Sequence, residues 1–190
     1  MKPSPNRSHV ISTASELFLV KGVANTSMDE VVVKSGVSKS NIYYHFKSKE
    51  ELVVAVLEYR INMLQEQLGQ IAGMLNLSVK ERIARMFAAL ADELEGRACV
   101  GGCPVLSLLS AQIPEVKIRI HDFLGGMQKM AEGLLEEGQK RGEFKPKLDI
   151  SATATLLVTV LEGAIMLAES QGNSGVLVNA GHTFLHLLQV

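Results

Sequence analysis

The stretch GVSKSNIYYHFKSKEEL, from Gly36 to Leu52, concentrates polar side chains in a chain that is otherwise largely aliphatic. It holds two tyrosines, one histidine, three lysines and three serines. Ser38 is suited to cap a short helix that begins at Lys39, and the preceding letters TSMDEVVVKS predict another short helix that ends at Ser35. Two short helices joined by a tight turn that contains glycine indicate a helix-turn-helix, although any helical hairpin has the same spacing.

Length and charge give this stretch its context. A chain of 190 residues with 47% apolar and 21% charged residues is typical of one globular domain, or of a small module joined to a larger body. Residues 1–49 carry seven Lys/Arg and three Asp/Glu, a net charge of +4, whereas residues 50–190 carry twelve and seventeen, a net charge of −5. A basic first part predicts contact with a polyanion.

Neither a signal peptide nor a membrane span is predicted. The N-terminal letters MKPSPNRSHVIS are too polar for a signal peptide. The longest apolar stretch, ATATLLVTVLEGAIMLA from Ala152 to Ala168, contains Glu162 and is shorter than the ~20 residues that cross a bilayer. We therefore expect a buried helix there and a cytoplasmic protein with no membrane partner.

Helical spacing dominates the whole chain, and the alternation typical of strands is nowhere sustained. Gly22 is suited to end the first helix, and Ser78 with Glu81 predicts a capping box at the start of a later one. The sequence predicts an all-α fold of about nine helices, of which the first three form an N-terminal head. These helices are expected at about residues 7–21, 27–35, 39–46, 49–75, 79–95, 105–112, 114–141, 150–171 and 176–188.

The stretch from Thr26 to Leu52 closely resembles the DNA-binding segment of the tetracycline-repressor (TetR) family of bacterial transcriptional regulators. The likeness covers about residues 7–60 and lies in the Gly-Val-Ser turn, the Tyr-Tyr-His-Phe run and the Ser-Lys-Glu that opens the fourth helix. Beyond that segment only the helical architecture is alike. The resemblance implies a helix-turn-helix DNA-binding domain over residues 1–48 and a ligand-binding and dimerisation domain over residues 49–190, and we expect no cofactor.

The second helix of a helix-turn-helix enters the major groove of double-stranded DNA with its N-terminal residues toward the bases. Lys39 and Asn41 occupy such positions, where lysine suits guanine acceptors and asparagine suits adenine or a phosphate. Neighbouring helical residues point about 100° apart, so with Ile42 and Phe46 turned inward, Tyr44 and His45 should reach phosphates. The resemblance implies phosphate contacts for the matching tyrosine and histidine positions and for the lysine that opens the fourth helix. The predicted DNA-binding residues are Thr26, Ser27, Ser38, Lys39, Ser40, Asn41, Tyr43, Tyr44, His45 and Lys49.

Methionines are frequent on the middle helices, where such side chains line adaptable pockets but also fill ordinary cores. Together they predict a site for a small apolar effector, with Glu162, His121 or Gln112 as polar anchors. The predicted ligand-binding residues are Met63, Met86, Phe87, Leu90, Cys103, Phe123, Met127, Met130, Glu162 and Met166.

A palindromic operator needs two recognition helices about one helical turn (~34–36 Å) or a multiple apart, so we expect a homodimer. The last two helices carry apolar stripes that suit either the core of one subunit or a dimer seam, and the resemblance favours the seam. The predicted interface residues are Leu156, Val160, Leu161, Ala164, Phe184, Leu185 and Leu188.

Cys99 and Cys103 are the only cysteines and are separated by Val-Gly-Gly. This spacing permits a thiol switch, in which Arg97 would favour a thiolate, or an ordinary turn with buried thiols. A zinc site is not predicted because two further ligands are missing nearby.

The sequence as a whole predicts a transcriptional repressor that a small apolar effector releases from a palindromic operator. One alternative is a repressor that senses thiol-reactive electrophiles through Cys99 and Cys103. Another, from a different class, is a protein that binds or sequesters a small molecule. An enzyme is not expected, because there are no predicted catalytic residues, no glycine-rich phosphate loop and no metal cluster.

Overall fold

The computed structural model of the chain describes residues 5–188, which form eight α-helices and one short 3₁₀ helix (η1) without a strand in that range. The predicted all-α fold of about nine helices is thereby confirmed. The elements are α1 (Pro5–Lys21), α2 (Met28–Ser35), α3 (Lys39–His45), α4 (Lys49–Ala72), α5 (Val79–Gly96), η1 (Leu106–Ala111), α6 (Pro114–Lys140), α7 (Ile150–Gln171) and α8 (Gly175–Leu188).

Short-range signals determine where most helices begin and end. Ser27 caps α2, and Ser78 and Glu81 form the predicted capping box at the start of α5. Gly36 ends α2 in the left-handed region at φ 65°, which glycine adopts without a steric penalty. The largest deviation from the predicted bounds is at α4, which ends at Ala72 and not near residue 75, with Gly73 directly after it.

The chain forms two compact units. We call Met1–Leu64 with Pro104–Ile120 the first unit, and Gln65–Cys103 with His121–Val190 the second unit. The first unit therefore contains η1 and the start of α6 in addition to the three-helix head. The proposed domain bounds at residues 48 and 49 remain a prediction.

The first unit is built around one face of α1. Val10, Ala14, Leu17 and Phe18 are all buried there, and α1 packs against both α2 and α3. Ile42 and Phe46 of the opening stretch are also buried, as their four-residue spacing indicates. This core holds the two short helices of the helix-turn-helix in place.

The second unit is centred on α5, α7 and α8, which pack against one another. Gly181 lets α8 approach α5 closely, since a Cβ atom at this position would lie 2.6 Å from Cγ of Phe87. The buried faces of α5 and α8 contribute Ile83, Phe87, Leu177 and Phe184 to the core.

Helix α7 extends beyond the apolar stretch from Ala152 to Ala168, which by itself is too short to cross a membrane. Its 22 residues are long and apolar enough to cross a bilayer by length and composition alone. One face of the helix is buried, including Ala154, Leu157 and Ala168, and α7 packs on both α5 and α8. The helix is thus packed along one face only, and Leu156, Met166 and Leu167 on its other faces are exposed.

Candidate nucleic-acid interface

The turn between α2 and α3 is shaped by its own hydroxyl groups. Ser35 at the end of α2 accepts the N–H of Val37 at 3.3 Å. Ser38 Oγ accepts the N–H of Asn41 at 3.4 Å and so caps α3. The seven residues of α3 follow directly, and the first positions of this helix are exposed. The predicted helix-turn-helix geometry is therefore present.

Lys39, the first residue of α3, is held by a carboxylate of α2. Its Nζ lies 2.7 Å from Oδ1 of Asp29 and 5.9 Å from the centre of the Tyr43 ring. The hydrogen bond to Asp29 raises the pKa of Lys39, so the ammonium stays charged. The two side chains are 61% and 72% exposed, and an ion pair this exposed to solvent is weak. Lys39 is consequently available to a stronger acceptor.

Ser40 and Asn41 differ in how they present their polar atoms. The hydroxyl of Ser40 is exposed and lies 3.3 Å from that of Ser38. Oδ1 of Asn41, in contrast, is buried and has no hydrogen-bond partner among the described residues. A two-point contact between Asn41 and an adenine would thus require its side chain to rotate.

Tyr44 is the most exposed aromatic side chain of α3, with 73% of its surface accessible. The edge of its ring packs against His45 at 5.0 Å, and Tyr43 beside it is 36% exposed. Lys47 Nζ lies 5.8 Å from the centre of the Tyr44 ring and donates to the carbonyl oxygens of Tyr43 and Tyr44. The sequence reasoning missed Lys47, although a lysine beside the end of the recognition helix is a readable signal.

The structure corrects one of the predicted DNA-binding residues. Thr26 is only 1% exposed, and its hydroxyl donates to the carbonyl oxygen of Gly22 at 2.9 Å. Because this hydroxyl closes the turn after α1, it is not presented to a ligand. The neighbouring Ser27 is exposed at the start of α2, and Lys49 is half-buried as the first residue of α4.

An apolar cavity of about 30 Å³ lies within the second unit. Four of the predicted ligand-binding residues line it, namely Met86, Phe87, Met127 and Met130. The sequence reasoning missed the other lining residues, which are Leu68, Ile83, Ala131, Leu134, Leu157, Val158 and Leu161.

Several predicted ligand-binding residues do not line this cavity. Met63 and Met166 are 55% and 68% exposed, because both lie on the outward faces of their helices. Leu90, Cys103, Phe123 and Glu162 are buried or half-buried but are not among the lining residues. The predicted polar anchors His121 and Gln112 are exposed and do not line the cavity either. The wall of the cavity consequently has no ionisable side chain.

Glu162 is instead paired with a thiol. Its Oε1 accepts a hydrogen bond from Sγ of Cys103 at 3.5 Å, and burial raises the pKa of the Glu162 carboxyl above its ordinary value of 4.5. Cys99 and Cys103 are both buried and are not joined in a disulfide. A thiolate next to this carboxylate would be electrostatically disfavoured.

We expect Glu162 to contribute a decrease in stability with rising pH, which the difference between the parent and a variant without this carboxyl isolates. Between the ordinary carboxyl pKa and the raised value, the folded state keeps a proton that the unfolded state has released, so the free energy of unfolding decreases over this window. Urea unfolding measured from pH 4 upward should show this slope in the parent and a flatter profile in Glu162→Gln. The exposed Glu66→Gln in the same unit is the control. Identical profiles for the parent and Glu162→Gln would contradict the assignment.

The predicted dimer residues fall on two different faces of α7 and α8. Leu156 is 48% exposed and Val160 is half-buried, but Leu161, Ala164, Phe184, Leu185 and Leu188 are buried within their own subunit. These five belong to the core because α7 and α8 direct them toward each other and toward α5. The exposed apolar side chains of the two helices are Leu156, Met166, Leu167 and Leu187.

The chain is similar in sequence to known families and proteins. Residues 10–56 match the family described as bacterial regulatory proteins, tetR family, and residues 79–184 match a tetracycline-repressor-like C-terminal domain. The chain is 27% identical to the HTH-type transcriptional repressor DhaR of Mycobacterium sp. (strain GP1), covering 91% of this chain and 87% of DhaR. It is 22% identical to the fatty acid metabolism regulator protein of Bacillus subtilis, covering 97% and 94% of the two chains.

Solved structures support the same fold. The regulatory protein TetR from Rhodobacter sphaeroides superposes with a TM-score of 0.90 at 22% identity, covering 97% of this chain and all of that one. The reduced form of NemR from Escherichia coli superposes with a TM-score of 0.87 at 19% identity, covering 98% of both chains. The chain therefore belongs to the tetR family of bacterial regulatory proteins and is a DNA-binding transcriptional regulator, not an enzyme.

Proposed function

We propose that this regulator is a repressor that binds a palindromic operator as a homodimer and is released from it by a small apolar effector. The observation that carries the DNA-binding part is the capped α2–turn–α3 unit with exposed Lys39 and Tyr44 on α3. In this arrangement the start of α3 faces base edges in the major groove, and its aromatic side chains contact the phosphates on either side.

The roles within α3 follow from how each side chain is held. Lys39 exchanges its weak pair with Asp29 for a guanine, while Ser40 contacts a base or a phosphate. Tyr43, Tyr44 and His45 position the helix through phosphates, supported by Lys47 at the end of α3. Ser27 and Lys49 add phosphate contacts from the starts of α2 and α4.

The class of effector follows from the apolar cavity in the second unit. Its walls are aliphatic, aromatic and thioether groups, so a charged group inside it would lose its hydration without gaining a partner. Methionines can repack around a ligand that is larger than the present cavity. We therefore propose a neutral aliphatic effector. One relative is named a fatty acid metabolism regulator protein, which is compatible with an aliphatic chain in the effector.

The effector proposal is tested with a DNA duplex that the protein itself enriches from a random library. Release of the labelled duplex is followed by fluorescence anisotropy as 1-decanol or decanoate is added. We expect 1-decanol to weaken DNA binding by a factor of about 5–150, the usual range of coupling between two sites, and decanoate to have a smaller effect at equal concentration. Stronger release by decanoate would contradict a neutral ligand.

A cavity-filling variant shows whether release depends on this site. Ala131→Leu adds bulk to the cavity wall and should abolish release by 1-decanol while the protein still binds the duplex. The matched control is Ala24→Leu, because Ala24 is exposed and lies in the first unit. Equal release from both variants would mean that the effector binds elsewhere.

The thiol-sensing alternative makes a different prediction. Both thiols are buried and Cys103 is bonded to Glu162, which is unfavourable for a reactive thiolate. The double variant Cys99→Ser, Cys103→Ser should therefore respond to 1-decanol as the parent does. Complete loss of the response, with normal DNA binding, would favour the electrophile sensor.

The exposed apolar side chains of α7 and α8 are proposed as the dimer seam, because the two helices pack side by side and a partner on them would remove these side chains from water. Such a dimer places two copies of α3 on one operator. In this proposal the second subunit, and not a membrane, covers the apolar outer face of α7. We accordingly place the protein in the cytoplasm, where its DNA lies.

A further inference from the structure

Arg60 is a buried charge in the first unit that the DNA-binding role of α3 does not explain. It lies on α4 and only 5% of the residue is exposed. Arginine is rarely buried unless its donors are satisfied, because the guanidinium loses its hydration. The environment of Arg60 therefore has to supply acceptors for it.

Acceptors come from two segments that are distant in the sequence. Nε donates to Oγ of Ser15 at 2.9 Å, and Nη2 donates to the carbonyl oxygen of the same residue at 2.5 Å. Nη1 donates to the carbonyl oxygen of Pro104 and to Oγ of Ser107 at 3.3 Å. Ser15 belongs to α1, whereas Pro104 and Ser107 belong to the segment that contains η1.

Only a side chain with several N–H donors in one plane can bond to both segments at once. The guanidinium holds five N–H groups in fixed directions, and here they are directed at both segments at the same time. A lysine has one nitrogen and cannot reach Ser15 and Pro104 together in the same geometry. Helix α1 packs against α2 and α3. The hydrogen bonds of Arg60 therefore link the segment that contains η1 to the helices of the DNA-binding head.

We propose that Arg60 is a positioning residue that couples the η1 segment, residues 104–111, to DNA binding through α1. The proposal rests on the proposed DNA-binding role of α3. Pro104 directly follows the loop that contains Cys99 and Cys103 in the sequence, so the η1 segment begins where that loop ends. By reciprocity, DNA bound to α3 should stabilise the η1 segment.

The test is amide hydrogen exchange of the full-length protein, free and saturated with the duplex enriched from a random library. The parent is compared with Arg60→Lys and with the milder Ser15→Ala and Ser107→Ala. The matched control is Arg119→Lys, since Arg119 pairs with Glu58 and Glu115 at the surface of the same unit. Melting temperatures are recorded for every variant.

In the parent and in Arg119→Lys, the duplex is expected to slow exchange both in α3 and in residues 105–111. In Arg60→Lys the slowing in α3 should persist, the slowing in residues 105–111 should disappear, and the affinity for the duplex should fall roughly tenfold. The two serine variants should lose part of the slowing in residues 105–111. They keep the test valid if Arg60→Lys does not fold.

A purely structural role would lower the melting temperature of Arg60→Lys and leave the duplex-dependent slowing in residues 105–111 intact, which would overturn the proposal. No slowing in these residues of the parent would overturn it as well. A parent that enriches no duplex would overturn the proposed DNA-binding role, and the coupling with it. The two failures are thus distinguishable.

Discussion

The variant Leu161→Glu is expected to destabilise the subunit itself, with a loss of roughly 3–5 kcal/mol in the free energy of unfolding. Leu161 is 7% exposed and lines the apolar cavity of the second unit, so a glutamate there would have to bury an unpaired carboxylate or take up a proton, and either is unfavourable. A loss of this size is a large part of the total stability of a typical domain, about 5–15 kcal/mol. Thermal unfolding followed by circular dichroism should show a midpoint roughly 10 °C lower.

The variant Leu167→Glu distinguishes a loss of dimerisation from a loss of subunit stability. Leu167 is on the same helix but is 53% exposed, so the change should barely alter the stability of the subunit. It places a charge in the proposed seam, and sedimentation equilibrium should report monomers. If Leu161→Glu melts like the parent and merely dissociates, the assignment of Leu161 to the core is wrong. A parent that is monomeric would contradict the seam.

The second large effect is expected at the start of the recognition helix. Lys39→Ala should lower affinity for the enriched duplex by about 1–3 kcal/mol, because one specific contact with a base is lost, and should leave binding to random duplexes much less affected. The ratio of the two affinities, measured by anisotropy at one salt concentration, is the readout. The exposed pair with Asp29 does not preclude this role because it is weak.

Two control variants distinguish a loss of base reading from a general loss of affinity for DNA. Lys34→Ala removes the same charge from α2, where Lys34 pairs with Glu16, and should lower affinity for both duplexes by a similar and smaller amount. Tyr44→Phe removes a predicted phosphate contact and should also act on both duplexes alike. Equal losses on the enriched and random duplexes for Lys39→Ala would show that Lys39 does not read a base.

Most of the fold was predictable because helix ends depend on neighbouring residues. Ser27, Ser38 and Ser78 cap helices, and Gly36 ends one through its left-handed backbone. These signals act over three or four residues, so they are visible in the sequence. The outward direction of Tyr44 was predictable for the same reason, since Phe46 two residues later is buried.

The sequence by itself thus determined the helices, the helix-turn-helix and the exposed face of α3. Tertiary structure alone decided which apolar stripe of α7 is core, because the helix is apolar on several faces and periodicity does not say where α5 and α8 will lie. It also decided that the Thr26 hydroxyl closes a turn, and that Arg60 and Arg82 are buried. Their partners Ser15 and Glu137 are 45 and 55 residues away, and only folding brings such distant groups together.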